Sequence, residues 1–396
     1  MSNNLPNLAN NHKDCCGCSS CEAVCPQNAI SMVQDQEGFL YPKIDSGLCI
    51  GCKKCISVCS FKKDIENNTY KFQEDKLPQT YAVKHKKFDT RKRSRSGGMF
   101  SAVSDYILNN NGVVYGAILD DEHNVIHAKT ETTFGRDKMR GSKYVQSNTT
   151  GCYNQVRDDL MQGREVLFTG TSCQISGLQS YLGKSYPNLY CMDIVCHGVP
   201  SPLVWKDYLH YMEEKHCGIC SDVDFRNKND FGWPAHVETI SISKNNKTKK
   251  VNSRFYSQLF YTHLTLRPSC SNCPYKSVIH PGDITIADYW GIKQAAPEYF
   301  DQYGVSLVLV NNSKGNKLFQ MVKKDIMYKE TDLNHSMQPP LKTSFDMPEN
   351  RAEFWKDYKE NSFENILKKY VGSQKKIDGP LFKNRLEFMV KKFFQK

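Results

Sequence analysis

Residues 15–26 read CCGCSSCEAVCP and residues 49–59 read CIGCKKCISVC. In the first run Cys15, Cys18, Cys21 and Cys25 stand two, two and three residues apart, with Pro26 following; Cys49, Cys52, Cys55 and Cys59 repeat that spacing. Four thiolates so spaced wrap a [4Fe–4S] cubane, and two copies form a bacterial-type two-cluster ferredoxin module. Three cysteines of a run hold one cluster and the fourth crosses to the other. The expected sets are therefore Cys15, Cys18, Cys21 and Cys59, and Cys49, Cys52, Cys55 and Cys25. Structural zinc asks for two cysteine pairs, not two full quartets. Disulfides belong to oxidising compartments, and the residues ahead of Cys15 do not read as a signal peptide. Cys16 fits no ligand position and reads as a packed neighbour.

A chain of 396 residues has room for two or three domains. Hydrophobic residues make up 39%, and no apolar run reaches the length of a transmembrane segment. The expectation is a soluble cytoplasmic protein whose 17 cysteines serve metal binding, not crosslinking. The net charge of +11 points at first to nucleic acid, but it counts every thiol as neutral. Three cysteine-ligated cubanes at about −2 each would bring the balance to roughly +5, and a dinucleotide flavin would lower it further. No nucleic-acid motif accompanies the basic excess, so no nucleic-acid partner is expected.

The fold class expected is α+β: the ferredoxin module over residues 1–68, followed by a larger mixed α/β domain for flavin and iron–sulfur. Within that domain residues 80–185 and 186–345 read as two successive parts. Residues 346–396 read as a helical basic tail. Ala29–Val33 and Phe39–Ile44 pattern as short strands around a turn at Gly38, and Asn67–Gln79 as a polar linker. A helix is expected over Met99–Asn109, and strands at Val113–Leu119, Val166–Phe168, Leu189–Val195, Val223–Phe225, Val237–Ser243, Asp283–Ala287 and Val305–Val310. Pro202–Glu214 and Phe255–Leu266 read as helical. The amphipathic stretch Leu381–Phe394 reads as a docked terminal helix, with contact to a membrane surface as the rival.

Four further cysteines lie at element ends, where ligands can converge: Cys173, Cys196, and the pair Cys270 and Cys273. They suit a third cubane, and equally read as small buried apolar side chains. Cys217 and Cys220 sit in a polar loop without evident partners, whereas Cys152 and Cys191 look like core residues. Ser96-Gly97-Gly98, opening a helix just after Arg93 and Arg95, has the form of a phosphate cradle or of a simple helix cap. Arg140 to Ser147 gathers donors, a cation and an aromatic, as a flavin would need and as surface loops also do. His197, beside Cys196, is the candidate proton donor, with a structural role as its rival. Arg226, Lys228 and Trp233 suit a substrate pocket or a solvated strand end.

Taken in order, these motifs resemble the coenzyme F420 hydrogenase/dehydrogenase beta-subunit family, in the form with an N-terminal two-cluster ferredoxin domain. The resemblance rests on Cys15–Pro26, Gly38–Pro42, Cys49–Cys59, Ser94–Gly98, Gly141–Ser147, Gly170–Leu178, Cys196–Ser201, Phe225–Lys228, Arg267–Lys276 and Asp283–Gly291. It implies an α+β domain with an FAD-binding part over residues 80–185 and a part over residues 186–345 with its own [4Fe–4S] cluster close to the flavin. By position it implies Ser96, Gly97, Gly98, Ser142, Lys143 and Tyr144 as FAD contacts, and Cys173, Cys196, Cys270 and Cys273 as cluster ligands. Members exchange electrons between clusters and a two-electron substrate, some through a deazaflavin coenzyme. The form with this ferredoxin lead-in is similar to bacterial members associated with surface-polysaccharide synthesis, where a nucleotide-sugar or glycan would be the substrate. Ser60 departs from the family, standing where a proline follows the second quartet, and no nickel–iron motif is present.

The function expected is an FAD and iron–sulfur oxidoreductase, linking a redox protein or reduced coenzyme to a small-molecule substrate. The alternative is a non-enzymatic electron carrier or adaptor, with the basic stretch Lys84–Arg95 steering an acidic partner. A third reading makes the later cysteines a zinc or redox-sensing site.

Overall fold

Runs such as Val113-Val114-Tyr115 and Val166-Leu167-Phe168 are apolar on both faces, the pattern of strands covered by helices on each side. The computed structural model describes residues 5–9, 11–373, 377–379, 381, 385–386 and 388. In chain order its strands are β1 (Ile30–Gln34), β2 (Leu40–Ile44), β3 (Gln79–His85), β4 (Val113–Leu119), β5 (Val125–Thr130), β6 (Val166–Thr171) and β7 (Leu189–Ile194). They continue with β8 (Ile219–Asp224), β9 (Glu238–Lys244), β10 (Lys247–Ser253), β11 (Ile284–Asp288), β12 (Ser306–Val310) and β13 (Ile326–Glu330). Packing groups the chain in a way no linear division shows. Residues 1–199 and 267–344 form one unit, and residues 200–266 and 345–396 form another.

The first unit is built on an eight-stranded sheet of order β13-β3-β12-β11-β7-β6-β4-β5. Its central strands β11, β7, β6 and β4 are parallel, and the strands flanking them are antiparallel. Alternate residues feed two cores. Val114, Leu167 and Met192 point to the side packed by helices Met99–Asn109 and Ser313–Val322. Val113, Val166, Phe168 and Cys191 point to the side packed by helices Cys152–Met161 and Ser172–Leu182. Cys152 and Cys191 are thus core residues, as expected.

The ferredoxin part belongs to this unit and pairs β1 with β2 antiparallel, Ile30 opposite Ile44. Its internal repeat is visible in the backbone. Gly17 and Gly51 have φ of 72° and 69°, and Ser19 and Lys53 have φ of 64° and 58°. In both copies these left-handed residues wind the cysteine loop before a one-turn helix, Ser20–Ala23 or Lys54–Ser57. After Cys59 the copies diverge: Ser60 opens the helix Ser60–Glu66, whereas Cys25-Pro26 runs into a turn.

The second unit packs helices around the antiparallel sheet β10-β9-β8. Trp205, Tyr208, Phe225 and Tyr256 form its aromatic centre, with ring centroids of neighbours 4.6–6.2 Å apart. Helices Arg351–Glu360 and Phe363–Tyr370 continue it. Arg226 and Lys228 are buried here, so neither is a solvated strand-end charge. The stretch Leu381–Phe394 lies largely outside the described residues; Leu381 itself packs with Phe231 and Val237. Among the described residues no helix is long and apolar enough to cross a membrane.

Glu238 is buried within this unit. Its Oε1 accepts the Tyr208 hydroxyl at 3.1 Å and the Tyr256 amide at 2.8 Å, and its Oε2 has no partner among the described residues. Burial pushes its carboxyl up to about 8 against those two bonds. The folded unit therefore holds a proton that the unfolded chain releases above about pH 4.5, and stability falls as pH rises toward about 8. Glu238→Gln is expected to stabilise this unit by about 2–4 kcal/mol near pH 8 and to flatten the dependence. Urea unfolding followed by tryptophan fluorescence checks this, since Trp205, Trp233 and Trp355 all lie in this unit.

Candidate redox site

All 17 cysteines are free. Burial pushes the Cys21 thiol up, and the charges of Cys18, Cys15 and Cys59 push it further. Cys59 is raised to about 11, first by burial and then, among its charged neighbours, by Cys18 and Cys15. These four residues thus stand within electrostatic reach of one another, the fourth having crossed from the other run. Cys49, Cys52, Cys55 and Cys25 line a pocket of about 350 Å³, part of it open to solvent, with Pro6, Ile44 and Ile50. The structure brings both expected quartets together. Cys52 is exposed, so the second quartet stands nearer water.

The later cysteines converge as well. Cys173 sits in the first turn of the helix Ser172–Leu182, directly after β6, where Thr171 and Gln174 form a capping box. Cys196 follows the neighbouring parallel strand β7. Both therefore lie at carboxyl ends of adjacent parallel strands, where open α/β sheets form their ligand crevices. Cys270 lies in the short helical turn Pro268–Asn272, and Cys273 caps it. Burial pushes Cys270 up to about 12, helped by the charges of Cys196 and Cys173. Cys273 is raised by burial and, against Lys276, by Cys173 and Cys270. Cys196 is raised by burial, with Lys276 opposing and Cys173 adding. The Lys276 ammonium donates to the Cys196 carbonyl. Four thiols separated by up to a hundred residues stand within electrostatic reach of one another. Cys217 and Cys220 lie in the second unit, which holds no other cysteine.

Among the described residues no three His, Cys, Asp or Glu side chains close on a point that would hold a single metal ion. Cubane ligands stand farther apart, because a whole cluster lies between them.

Helix Ser172–Leu182 joins the first and third cysteine sets. The Ser20 hydroxyl donates to the Gly177 carbonyl at 2.9 Å, and a Cβ on Gly177 would stand 2.9 Å from Cys18 Cβ and Sγ. Asp64 accepts from the Ser176 hydroxyl and the Tyr275 hydroxyl, both at 2.8 Å. Gln146 Nε2 and the Thr149 hydroxyl donate to the carbonyls of Cys16 and Cys18, each at 3.0 Å. Cys16 is more than a bystander in this arrangement: its buried thiol lies against both Cys18 and Cys173. Hydrogen bonding from Cys16, then from Ser20, draws Cys18 down to about 6. Sequence reading singles out neither Gly177 nor Asp64. A glycine in mid-helix is the one available signal for a close approach.

The flavin candidates divide. Gly97 packs tightly, since a Cβ there would stand 2.0 Å from the Val83 carbonyl and 2.6 Å from the Ser306 amide. The Ser96 hydroxyl donates to the Val305 carbonyl at 2.7 Å. Gly98, with φ of 97°, is the N-cap of helix Met99–Asn109 and offers no side chain to cap it. Arg140 Nε donates to Ser101 Oγ in that helix's first turn at 3.1 Å. The two stretches expected to meet one cofactor therefore meet each other. Ser142 is exposed, and Lys143 and Tyr144 are half-buried. Among the described residues the Lys143 ammonium donates only to carbonyls, those of Lys138 at 2.6 Å and Arg140 at 3.3 Å, and burial pushes it down to about 7. His197 is half-buried in the loop after β7.

A family model describing the C terminus of the coenzyme F420 hydrogenase/dehydrogenase beta subunit matches residues 163–336. Another, described as a 4Fe-4S dicluster domain, matches residues 14–63. Over these two stretches the chain is similar to the C terminus of the coenzyme F420 hydrogenase/dehydrogenase beta subunit and to a two-cluster iron–sulfur domain. A solved structure of the F420-reducing [NiFe] hydrogenase complex from Methanosarcina barkeri is similar over 64% of this chain and 82% of that chain, at 16% identity and a TM-score of 0.43. No curated protein matches. In this beta-subunit-like chain the eight N-terminal cysteines fall inside the dicluster match, and Cys173, Cys196, Cys270, Cys273 and His197 inside the beta-subunit match. Ser96–Gly98 and Ser142–Tyr144 lie in the segment between the two matched stretches.

Gly177→Ala is expected to push the Cys18 loop away from helix Ser172–Leu182. Iron loss to a chelator should then be several-fold faster than in the parent, with the far-ultraviolet circular dichroism of the sheet retained.

Proposed function

We propose that this iron–sulfur protein, similar to the beta subunit, is an FAD-dependent oxidoreductase with a third [4Fe–4S] cluster. Cys173, Cys196, Cys270 and Cys273 would hold that cluster. The first turn of helix Met99–Asn109, Gly98, Arg140 and the loop Ser142–Tyr144 would hold the flavin, Ser96 and Gly97 supporting the turn from behind. When bound, the clusters carry electrons singly and the flavin in pairs, which is the chemistry that joins a one-electron partner to a two-electron substrate.

The observation that carries this reading is the gathering of four cysteines from separate elements at the carboxyl ends of β6 and β7. Burial keeps Cys196, Cys270 and Cys273 protonated unless a metal takes the proton's place, while hydrogen bonding from Cys16 draws Cys173 down, so a dry nest of four favours a cluster. Cys16 bridges Cys18 to Cys173, which puts the third set next to the first. Lys143 supports the flavin part: a cation that meets only carbonyls gains from a phosphate nearby. His197, next to Cys196, is the proton donor of the reading. The substrate classes that the resemblance brings are a deazaflavin coenzyme and a nucleotide-sugar or glycan of surface-polysaccharide synthesis. The partner is a one-electron redox protein.

Anaerobic purification with iron, sulfide and acid-released flavin analysis tests the proposal. About twelve irons and one FAD per chain are expected, and Cys270→Ala should lose about four irons while the ferredoxin signals persist. About eight irons without flavin would overturn the enzyme reading and leave an electron carrier.

A further inference from the structure

Arg267 is fully buried, yet no carboxylate lies among its partners. Its Nε donates to the Cys15 carbonyl at 2.8 Å, Nη1 to Gln146 Oε1 at 2.8 Å, and Nη2 to the Leu40 carbonyl at 3.0 Å. The guanidinium lies over the Tyr41 ring at 4.2 Å and the Phe39 ring at 5.4 Å from their centroids. Carbonyl oxygens and ring faces recover part of the cost of burying a charge, but they leave its net charge uncompensated. Nη2 also reaches Cys15 Sγ at 3.7 Å. Among the hydrogen-bond partners of Arg267 in the described residues, that sulfur is the one that becomes anionic when it ligates metal.

The internal repeat supplies a control. A Cβ on Gly17 would stand 2.9 Å from Arg267 Nη1 and 2.8 Å from Gln146 Nε2, whereas one on Gly51 would meet nothing within 4 Å. The same loop, wound by the same left-handed glycine, is covered by a buried cation in one copy and open in the other. Arg267 comes from the far part of the chain, so the asymmetry is not encoded within the ferredoxin module itself.

We propose that Arg267 is a positioning residue and the buried counter-cation of the cluster held by Cys15, Cys18, Cys21 and Cys59. It sets that cluster's reduction potential above that of the cluster held by Cys25, Cys49, Cys52 and Cys55. Reduction adds one electron and no proton, so the reduced cluster is more negative by one charge. A fixed cation in a dry site stabilises that form more than the oxidised one. Around Cys52 water screens the charge of the exposed Lys53 and Lys54, and the same attraction is weaker there. Electrons arriving at the exposed cluster then run downhill to the buried one. This inference rests on the two-cluster module alone, and it stands or falls separately from the flavin and the third cluster.

The test is a potentiometric titration of the full anaerobic chain, followed by electron paramagnetic resonance, on three variants. Arg267→Gln is expected to move the midpoint of the cluster held by Cys15, Cys18, Cys21 and Cys59 to lower potential and leave that of the cluster held by Cys25, Cys49, Cys52 and Cys55 in place. Arg267→Lys should restore most of the difference, since it keeps the charge. Gln146→Glu keeps the arginine and sets a carboxylate against Nη1, so it should shift the same cluster in the same direction. Cys52→Ser identifies the other cluster's signal. Wild-type midpoints in Arg267→Gln at full iron content would overturn the proposal. If that variant assembles poorly, unchanged midpoints in Gln146→Glu overturn it instead. An iron count of about eight without flavin would leave both outcomes readable.

Discussion

Thiolates that hold iron are anions, and the first unit takes them out of water at the junction of its sheet with the ferredoxin loops. Burial, helped by the charges of neighbouring thiols, drives Cys15, Cys21, Cys59, Cys196, Cys270 and Cys273 toward the protonated form. At the ferredoxin cysteines metal reverses that preference by replacing the proton, which couples loading to the folded state. Cations placed by remote parts of the chain complete the balance: Arg267 beside Cys15, and Lys276 beside Cys196. Neither belongs to the ferredoxin stretch.

This requirement accounts for the way the unit is packed. The ferredoxin part lies on helix Ser172–Leu182, with hydrogen bonds from Ser20 to Gly177 and from Ser176 to Asp64. The same helix presents Cys173 from its first turn. One short, rigid element therefore fixes the separation between the first and third cysteine sets, with Cys16 filling the space between them. A free linker would leave that separation to chance.

Patterns with a strong local signal are legible in the amino-acid order alone. Val113–Leu119 and Met99–Asn109 fall where periodicity puts them, and Cys152 and Cys191 are core. Other elements carry little signal. β10 reads Lys-Thr-Lys-Lys-Val-Asn-Ser because it is an edge strand, whose exposed side favours lysine over the alternation that marks a half-buried strand. β3 begins at Gln79, the residue that closes the expected linker, and its pairing with β12 and β13 is what makes it a strand. Gly97 looks like half of a phosphate cradle, yet its missing side chain is explained by the carbonyl of Val83 packed against it. Only the neighbour from another strand distinguishes the two.

By itself the sequence determined the two quartets and their exchange of fourth ligands, because cubane ligation is set by spacing along a tight loop. It also determined the alternation of buried strands and helices, since burial on both faces leaves a continuous apolar run. Tertiary structure alone decided that Cys173, Cys196, Cys270 and Cys273 meet, that Cys16 lies between two sets, and that Arg267 covers one copy of the repeat. Those facts depend on distances through space between residues far apart in the chain. Spacing in sequence carries no record of them.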